Sequence, residues 1–248
     1  MQMTPKVTVL TTVFNGGTVL DDAIECVIDQ SFGDWEHIVV DDGSTDASLE
    51  IMNRSAETDS RLTVVSAGRV GRGRALNLGL NKAQGQYIAI LDADDRAMSN
   101  RLQLQSDYLD DHPDVELLGS AANVVDESGQ VVAVSRPPHD SHALEAELCR
   151  RYPFVHSSVM YRAEALRSIG GFSERLSSCL DYDAAVKISK NGQIRSIPEL
   201  LIERVENRHS FFASLPALRV IRDSNSIRMR AAKQYGRPAF KQLVPLLT

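Results

Sequence analysis

A chain of 248 residues, 43% hydrophobic and 24% charged, has the make-up of an ordered protein with one large or two small α/β domains, which excludes wholesale disorder. No apolar run approaches the roughly 18 residues of a membrane span, and Met1 to Lys6 lacks the apolar core of a secretory leader, so a cytoplasmic location is expected. The net charge of −6 disfavours a nucleic-acid partner, and Cys26, Cys149 and Cys179 lie too far apart for a C-x-x-C metal site or a disulfide framework.

Lys6 to Val13 is β-branched and alternating and ends at Asn15-Gly16-Gly17, which predicts a strand and a turn. An apolar stripe at helical spacing covers Val19 to Ile28. Trp35 to Val40 reads as a second strand, closed by Asp41-Asp42-Gly43-Ser44-Thr45-Asp46, whose polar residues cap a helix to about Ala56. A third strand is expected at Leu62 to Ser66, a helix at Ala75 to Ala83, and a fourth strand at Tyr87 to Leu91 that runs into Asp92-Ala93-Asp94-Asp95. Ser99 is placed to cap a helix to Asp111, with a fifth strand at Val115 to Ala121. The second half reads as a hairpin around Asp126 to Gln130, helices at Ser141 to Arg151, Ala163 to Ile169 and Asp181 to Lys190, and strands at Ser158 to Tyr161 and Gln193 to Ile197. Strands alternating with helices imply an α/β fold with a mainly parallel sheet and helices on both faces. Ligands bind such sheets beyond the carboxyl ends of the strands, where Phe14-Asn15, Asp41-Asp42 and Asp92 to Asp95 fall.

Asp92 and Asp94, two apart at a strand end, can present both carboxylates to one face, a donor set for Mg²⁺ or Mn²⁺ and through it a diphosphate. A solvated turn with Asp95 as helix cap is the bland alternative. Gly68-Arg69-Val70-Gly71-Arg72-Gly73-Arg74 before a helix suits a phosphate, with an exposed basic turn as its alternative. Asp181 and Asp183 head a helix, where they either cap it or supply a general base.

In this order, the segments Val9-Leu-Thr-Thr-Val-Phe-Asn15, Ile38 to Asp46, Ala75 to Leu80 and Gly85 to Asp95 resemble the inverting family 2 glycosyltransferases, from about Val7 to His209. The resemblance implies a GT-A fold with a Rossmann-like sheet, a nucleotide-sugar-binding half over 1–121 and an acceptor half over 122–210. It implies transfer of a sugar from a nucleoside-diphosphate sugar, expected to be a UDP-sugar, to an acceptor hydroxyl in cell-surface polysaccharide or glycolipid synthesis. By the same resemblance Thr12 and Phe14 line the nucleobase pocket, Asp41 and Asp42 contact base and ribose, and Arg72 meets the diphosphate. Asp92 and Asp94 hold the metal, Mn²⁺ or Mg²⁺, with the sugar-diphosphate, and Asp181 is the catalytic base. His156, Asp183 and Arg204 fall on the acceptor side. Leu180 stands where the family has a glutamate, and Arg204-Val205-Glu206, with His209 beyond, replaces its R-x-H.

Two other classes compete. An aspartyl phosphatase or mutase also carries D-x-D after a strand, but wants it after the first strand and a Thr or Val where Arg96 stands. A non-catalytic nucleotide-sugar-binding or scaffold protein could share the fold. The last segment, 211–248, carries seven basic residues and one acid on an otherwise acidic chain. It is expected to be helical, and either a peripheral contact with the inner membrane face or a helix packed on the catalytic domain.

Overall fold

The computed structural model describes residues 4–17, 19–206 and 215–237. The first seven elements alternate: β1 (Val7–Val13), α1 (Val19–Ile28), β2 (Trp35–Asp41), α2 (Ser48–Thr58), β3 (Leu62–Ser66), α3 (Arg72–Lys82) and β4 (Tyr87–Ile90). The strands pair in parallel in the order β3-β2-β1-β4. The chain therefore steps outward from β1 in one direction, then returns to add β4 on its other side. That reversal leaves a crevice beyond the carboxyl ends of β1 and β4.

The second half enlarges the same sheet. Its elements are β5 (Arg96–Ala97), α4 (Arg101–Asp111), β6 (Val115–Val125), β7 (Val131–Ser135), α5 (Ser141–Leu148), a 3₁₀ turn at His156–Ser158, β8 (Met160–Arg162), α6 (Ala163–Ser168), α7 (Leu180–Ile188), β9 (Gln193–Val205) and α8 (Ala217–Gln234). The nine strands run β3-β2-β1-β4-β8-β6-β9-β5, with β7 paired to β6. β8 is antiparallel to both β4 and β6, so the strict parallel pattern holds only in the first half. β9 runs eight residues beyond its expected end, to Val205, and pairs with β6 and β5.

Side-chain alternation along β1 builds a core on each face of the sheet. Val7 and Val9 join Ala23, Val27, Leu102 and Leu109 on one side. Leu10, with Ile38 and Val40, packs on Ala75, Leu76 and Leu80 of α3 and reaches Tyr182, Ile227 and Ala231 on the other. The C-terminal helix is thus part of the core: α8 buries Asp223, Ile227, Arg228, Ala231 and Ala232, beginning directly after Pro216. Pro238, Lys241, Pro245 and His209 lie outside the described residues. Among the described residues no helix is long and apolar enough to cross a membrane.

Helix α3 starts at Arg72, three residues before its expected start, and takes Gly73 and Arg74 into its first turn. Its N-terminus is pressed against the segment after α6: a Cβ at Gly73 would lie 2.5 Å from the Ser173 carbonyl oxygen. Replacing a helical glycine by alanine ordinarily stabilises by up to about 1 kcal/mol. Here the contact reverses the sign. Gly73→Ala is expected to cost about 2 kcal/mol through overpacking, seen as a melting temperature lowered by roughly 4–8 °C. An unchanged or raised melting temperature in circular dichroism would show that the 171–174 segment yields freely.

Candidate active site

The rim is made by three loops that hold one another. Asn15, at φ 53°, accepts from the Thr45 amide at 2.8 Å, and its own amide donates to Ser44 Oγ at 2.9 Å. The Gly17 amide donates to Asp46 Oδ2 at 2.8 Å. These bonds fasten the loop after β1 to the loop after β2. Asp42 then fastens the latter to the loop after β3: Oδ1 accepts from the Val70 and Gly71 amides, both at 2.8 Å, and Oδ2 pairs with Arg69. Gly43, at φ 79°, permits the approach, since a Cβ there would meet the Arg69 nitrogen at 2.7 Å. Asp41 is buried and accepts from the Ser44 amide at 3.0 Å.

One apolar surface remains open on this rim. Phe14 is 42% exposed, and the Arg69 guanidinium stacks 3.6 Å above its ring. Thr12, half-buried, precedes it at the end of β1. Phe14, Thr12, Asp41 and Asp42 are therefore gathered at one end of the crevice.

At the other end, the D-x-D carboxylates lie just past β4 in a turn closed by Asp95 N–H donating to the Asp92 carbonyl at 3.1 Å. The turn, not strand alternation, brings them together. Asp92 pairs with Arg72 on the first turn of α3, both half-buried. Burial raises the Asp94 carboxyl above its ordinary range and the neighbouring Asp92 adds to this, while Arg72 and Arg204 pull it down. Arg204, exposed on β9, thus belongs electrostatically to this end. Asp95 is 3% exposed, with its carboxyl pushed well up by burial, Asp92 and Asp94. It does not cap α4, whose N-cap is Asn100; Ser99 is not the cap either. Among the described residues no three His, Cys, Asp or Glu side chains converge to hold a metal by protein ligands alone. Two clustered carboxylates, that of Asp94 crowded by burial and by Asp92, suit a hard divalent cation that completes its shell from a diphosphate and water.

Asp181, on the first turn of α7, stands beside this cluster. Its Oδ1 accepts from the Tyr182 amide at 2.8 Å, and Oδ2 lies 3.6 Å from His156 Nδ1. Burial pulls the His156 imidazole below its usual range, against the pull of Asp92 and Asp181, so the ring is neutral at pH 7. Among the described residues neither of its nitrogens has a hydrogen-bond partner, although both are buried. The ring packs edge-on to Phe172 with centroids 6.4 Å apart. Leu180 is buried in the core that contains Phe172 and Tyr182, so no polar group occupies its place.

Asp183 is placed otherwise than expected. It is buried, 2.9 Å from Lys187 Nζ and paired with Arg230 of α8, so it anchors the C-terminal helix rather than facing an acceptor. The residues that sequence reasoning overlooked are buried polar ones: Arg101, Ser157, and Asp95 in its actual setting.

The profile for Glycosyl transferase family 2 matches residues 8–170. Among relatives, the chain is 29% identical over 217 residues to an uncharacterized glycosyltransferase of Methanocaldococcus jannaschii, covering 85% of this chain and 74% of that one. Of the next two relatives it spans 62% and 42%. Among solved structures it is similar to TarS 1-349 of S. aureus in complex with UDP-GlcNAc, with a TM-score of 0.75, 21% identity, and coverage of 92% of this chain and 66% of that one. It is also similar to the mannosyltransferase PcManGT of Pyrobaculum calidifontis in complex with GDP-Man and Mn²⁺, with a TM-score of 0.65, 23% identity, and coverage of 98% and 65%. At these identities the structural likeness carries the fold, which is GT-A.

Proposed function

Because the chain belongs to glycosyl transferase family 2, we propose that it transfers a sugar from a nucleoside-diphosphate sugar to an acceptor hydroxyl with inversion, using Asp181 as base. The observation that carries this reading is the juxtaposition of Asp92, Asp94, Arg72, His156 and Asp181 at one end of the crevice, with Phe14 and Asp42 at the other. A nucleotide fits this polarity. Phe14 offers a stacking face to the base, Asp41 and Asp42 offer carboxylates to base and ribose, and the diphosphate reaches Arg72. UDP is the expected nucleotide, in line with the UDP-GlcNAc complex of TarS; GDP is the comparison.

Asp92 and Asp94 would hold Mn²⁺ or Mg²⁺, which when bound neutralises charge on the leaving diphosphate. The chain's own residues do the rest. Arg72 releases Asp92 and turns to the diphosphate oxygens. Asp181 takes the proton of the acceptor hydroxyl as that oxygen attacks the anomeric carbon and the bond from that carbon to the diphosphate oxygen breaks. A single displacement inverts the configuration, by the logic that also governs inverting glycosidases. His156 and Arg204 line the acceptor side, His156 as a neutral hydrogen-bonding ring. The acceptor is read as a growing cell-surface polysaccharide or a glycolipid at an anionic surface. α8 supports this, because outside its packed face it exposes Leu218, Arg219, Arg222, Met229 and Lys233.

Four measurements test the reading. Calorimetric binding of UDP should need Mn²⁺ or Mg²⁺ and vanish in EDTA, and Asp94→Asn should abolish it. The same variant should raise the melting temperature of the ligand-free protein slightly, because an amide relieves the crowding that raises the Asp94 carboxyl. Metal-independent binding would refute the assignment. Asp181→Asn should lower kcat by about 10²-fold or more with nucleotide affinity unchanged; collapse of that affinity would make Asp181 part of the donor site. Sedimentation with anionic vesicles should recover the protein in the pellet at low salt, and Arg219→Glu with Arg222→Glu should return it to the supernatant. Equal recovery of both proteins would leave α8 as packing alone.

A further inference from the structure

Asp95 adjoins the D-x-D pair yet points into the protein. It is 3% exposed and Ser157 is fully buried. Asp95 Oδ2 accepts from Ser157 Oγ, and Ser157 Oγ in turn accepts from the Asp92 amide at 3.0 Å. Asp95 Oδ1 accepts from the Val205 amide at 3.1 Å. The Asp92 carbonyl is held by the Asp95 amide at 3.1 Å, so the backbone of Asp92 is fixed at both its N–H and its C=O. Two members of the chain of bonds lie next to residues of the site: Ser157 follows His156, and Val205 follows Arg204.

A buried carboxylate is an expensive way to fill space, since it must be matched by hydrogen bonds that an apolar side chain would not need. Here its bonds reach three segments that must keep register: the turn with the donor carboxylates, the 3₁₀ turn of His156 and the end of β9. We propose that Asp95 and Ser157 are positioning residues for the donor, which set the direction of Asp92 toward the bound diphosphate and its cation without touching either. The proposal rests on the reading of this crevice as a nucleotide-sugar site.

Ser158 supplies a matched control. It is equally buried and donates through Oγ to the Val155 carbonyl at 2.8 Å, a bond outside the chain that reaches Asp92. Binding of UDP, and separately GDP, is measured across a Mn²⁺ series for the wild type, Ser157→Ala, Asp95→Asn, the double variant and Ser158→Ala, with ligand-free melting temperatures. Residues behind metal ligands typically matter by 10- to 100-fold in affinity. Ser157→Ala and Asp95→Asn should therefore weaken Mn²⁺-supported binding about tenfold or more, and the double variant by less than the product of the two, as both cut one chain. Ser158→Ala should lower the melting temperature comparably and change binding by less than about twofold. Wild-type binding in Ser157→Ala, or equal weakening in Ser158→Ala, overturns the proposal, and Ser157→Ala carries the test alone if Asp95→Asn does not fold. If the wild type binds neither nucleotide with Mn²⁺, the donor reading fails first and this inference with it.

Discussion

The site depends on a cation that takes no part in it. Arg101 is completely buried, and its Nη2 donates to the carbonyls of Ile90, at 2.9 Å, and Val159, at 3.2 Å. Those two residues share the last backbone bond between β4 and the segment entering β8, so Arg101 terminates the ladder there. Its Nε donates to Gln105, which donates in turn to the Ser158 carbonyl. The branched, planar donor set of the arginine holds two carbonyls through Nη2 and the Gln105 amide oxygen through Nε at once. Burial pulls this guanidinium down to about 10, so it stays charged at neutral pH. The turn that bears Asp92 and Asp94 begins two residues past Ile90, and His156 and Ser157 lie just ahead of Val159. Both sides of the crevice thus leave one clamp.

From that clamp the electrostatics follow. Three carboxylates crowd the turn, and the protein provides less counter-charge than they demand: Arg72 is paired with Asp92, while Asp94 and Asp95 retain protons more strongly than ordinary carboxylates. A fold that tolerates such crowding holds binding strain in its unliganded state. Phe14 and Arg69 show the same at the other end, a cation stacked where a flat ring could sit. Asp42, by contrast, is fully committed to the loop after β3, so its contribution to a ligand is to shape that loop as much as to touch it.

The first half of the fold was legible because each element is bounded by local chemistry: alternation in β1, a helical stripe in α1, the polar cluster that closes β2. The second-half helices and strands fall close to their expected bounds as well, and what was not legible, in either half, has physical reasons that can be named. β9 reads as ending at Ile197, but it continues past Pro198, which falls at the register shift between Ser120 and Ala121. Gly71 and Gly73 argued for a loop, but Gly71 is the N-cap of α3 at φ 88° and Gly73 is required by the Ser173 carbonyl. Asp95 reads as a helix cap and Arg101 carries no local signal, because their partners lie 62 and 58 residues away. Asp183 looked like part of the site because it shares a helix turn with Asp181; which way it faces is decided by Arg230, 47 residues on. The family pattern pointed to Asp92, Asp94 and Asp181, but the buried bonds of Asp95 and Ser157 behind them were visible only once the chain was folded.

The bond between Asp95 and Val205 spans 110 residues. During synthesis, β1 to β4 can pair in parallel as soon as the first 90 residues are available, since every partner is then present. The acidic turn has no such early solution. Arg72 can pair with Asp92 early and Ser157 with Asp95 later, but the bond from Val205 must wait until β9 is made, and long-range closures of this kind are slow. The two ends of the crevice therefore mature at different times: the end with Phe14 and Asp42 can exist on a half-made chain, whereas the end with Asp92 and Asp95 gains its Val205 bond only when β9 is in place.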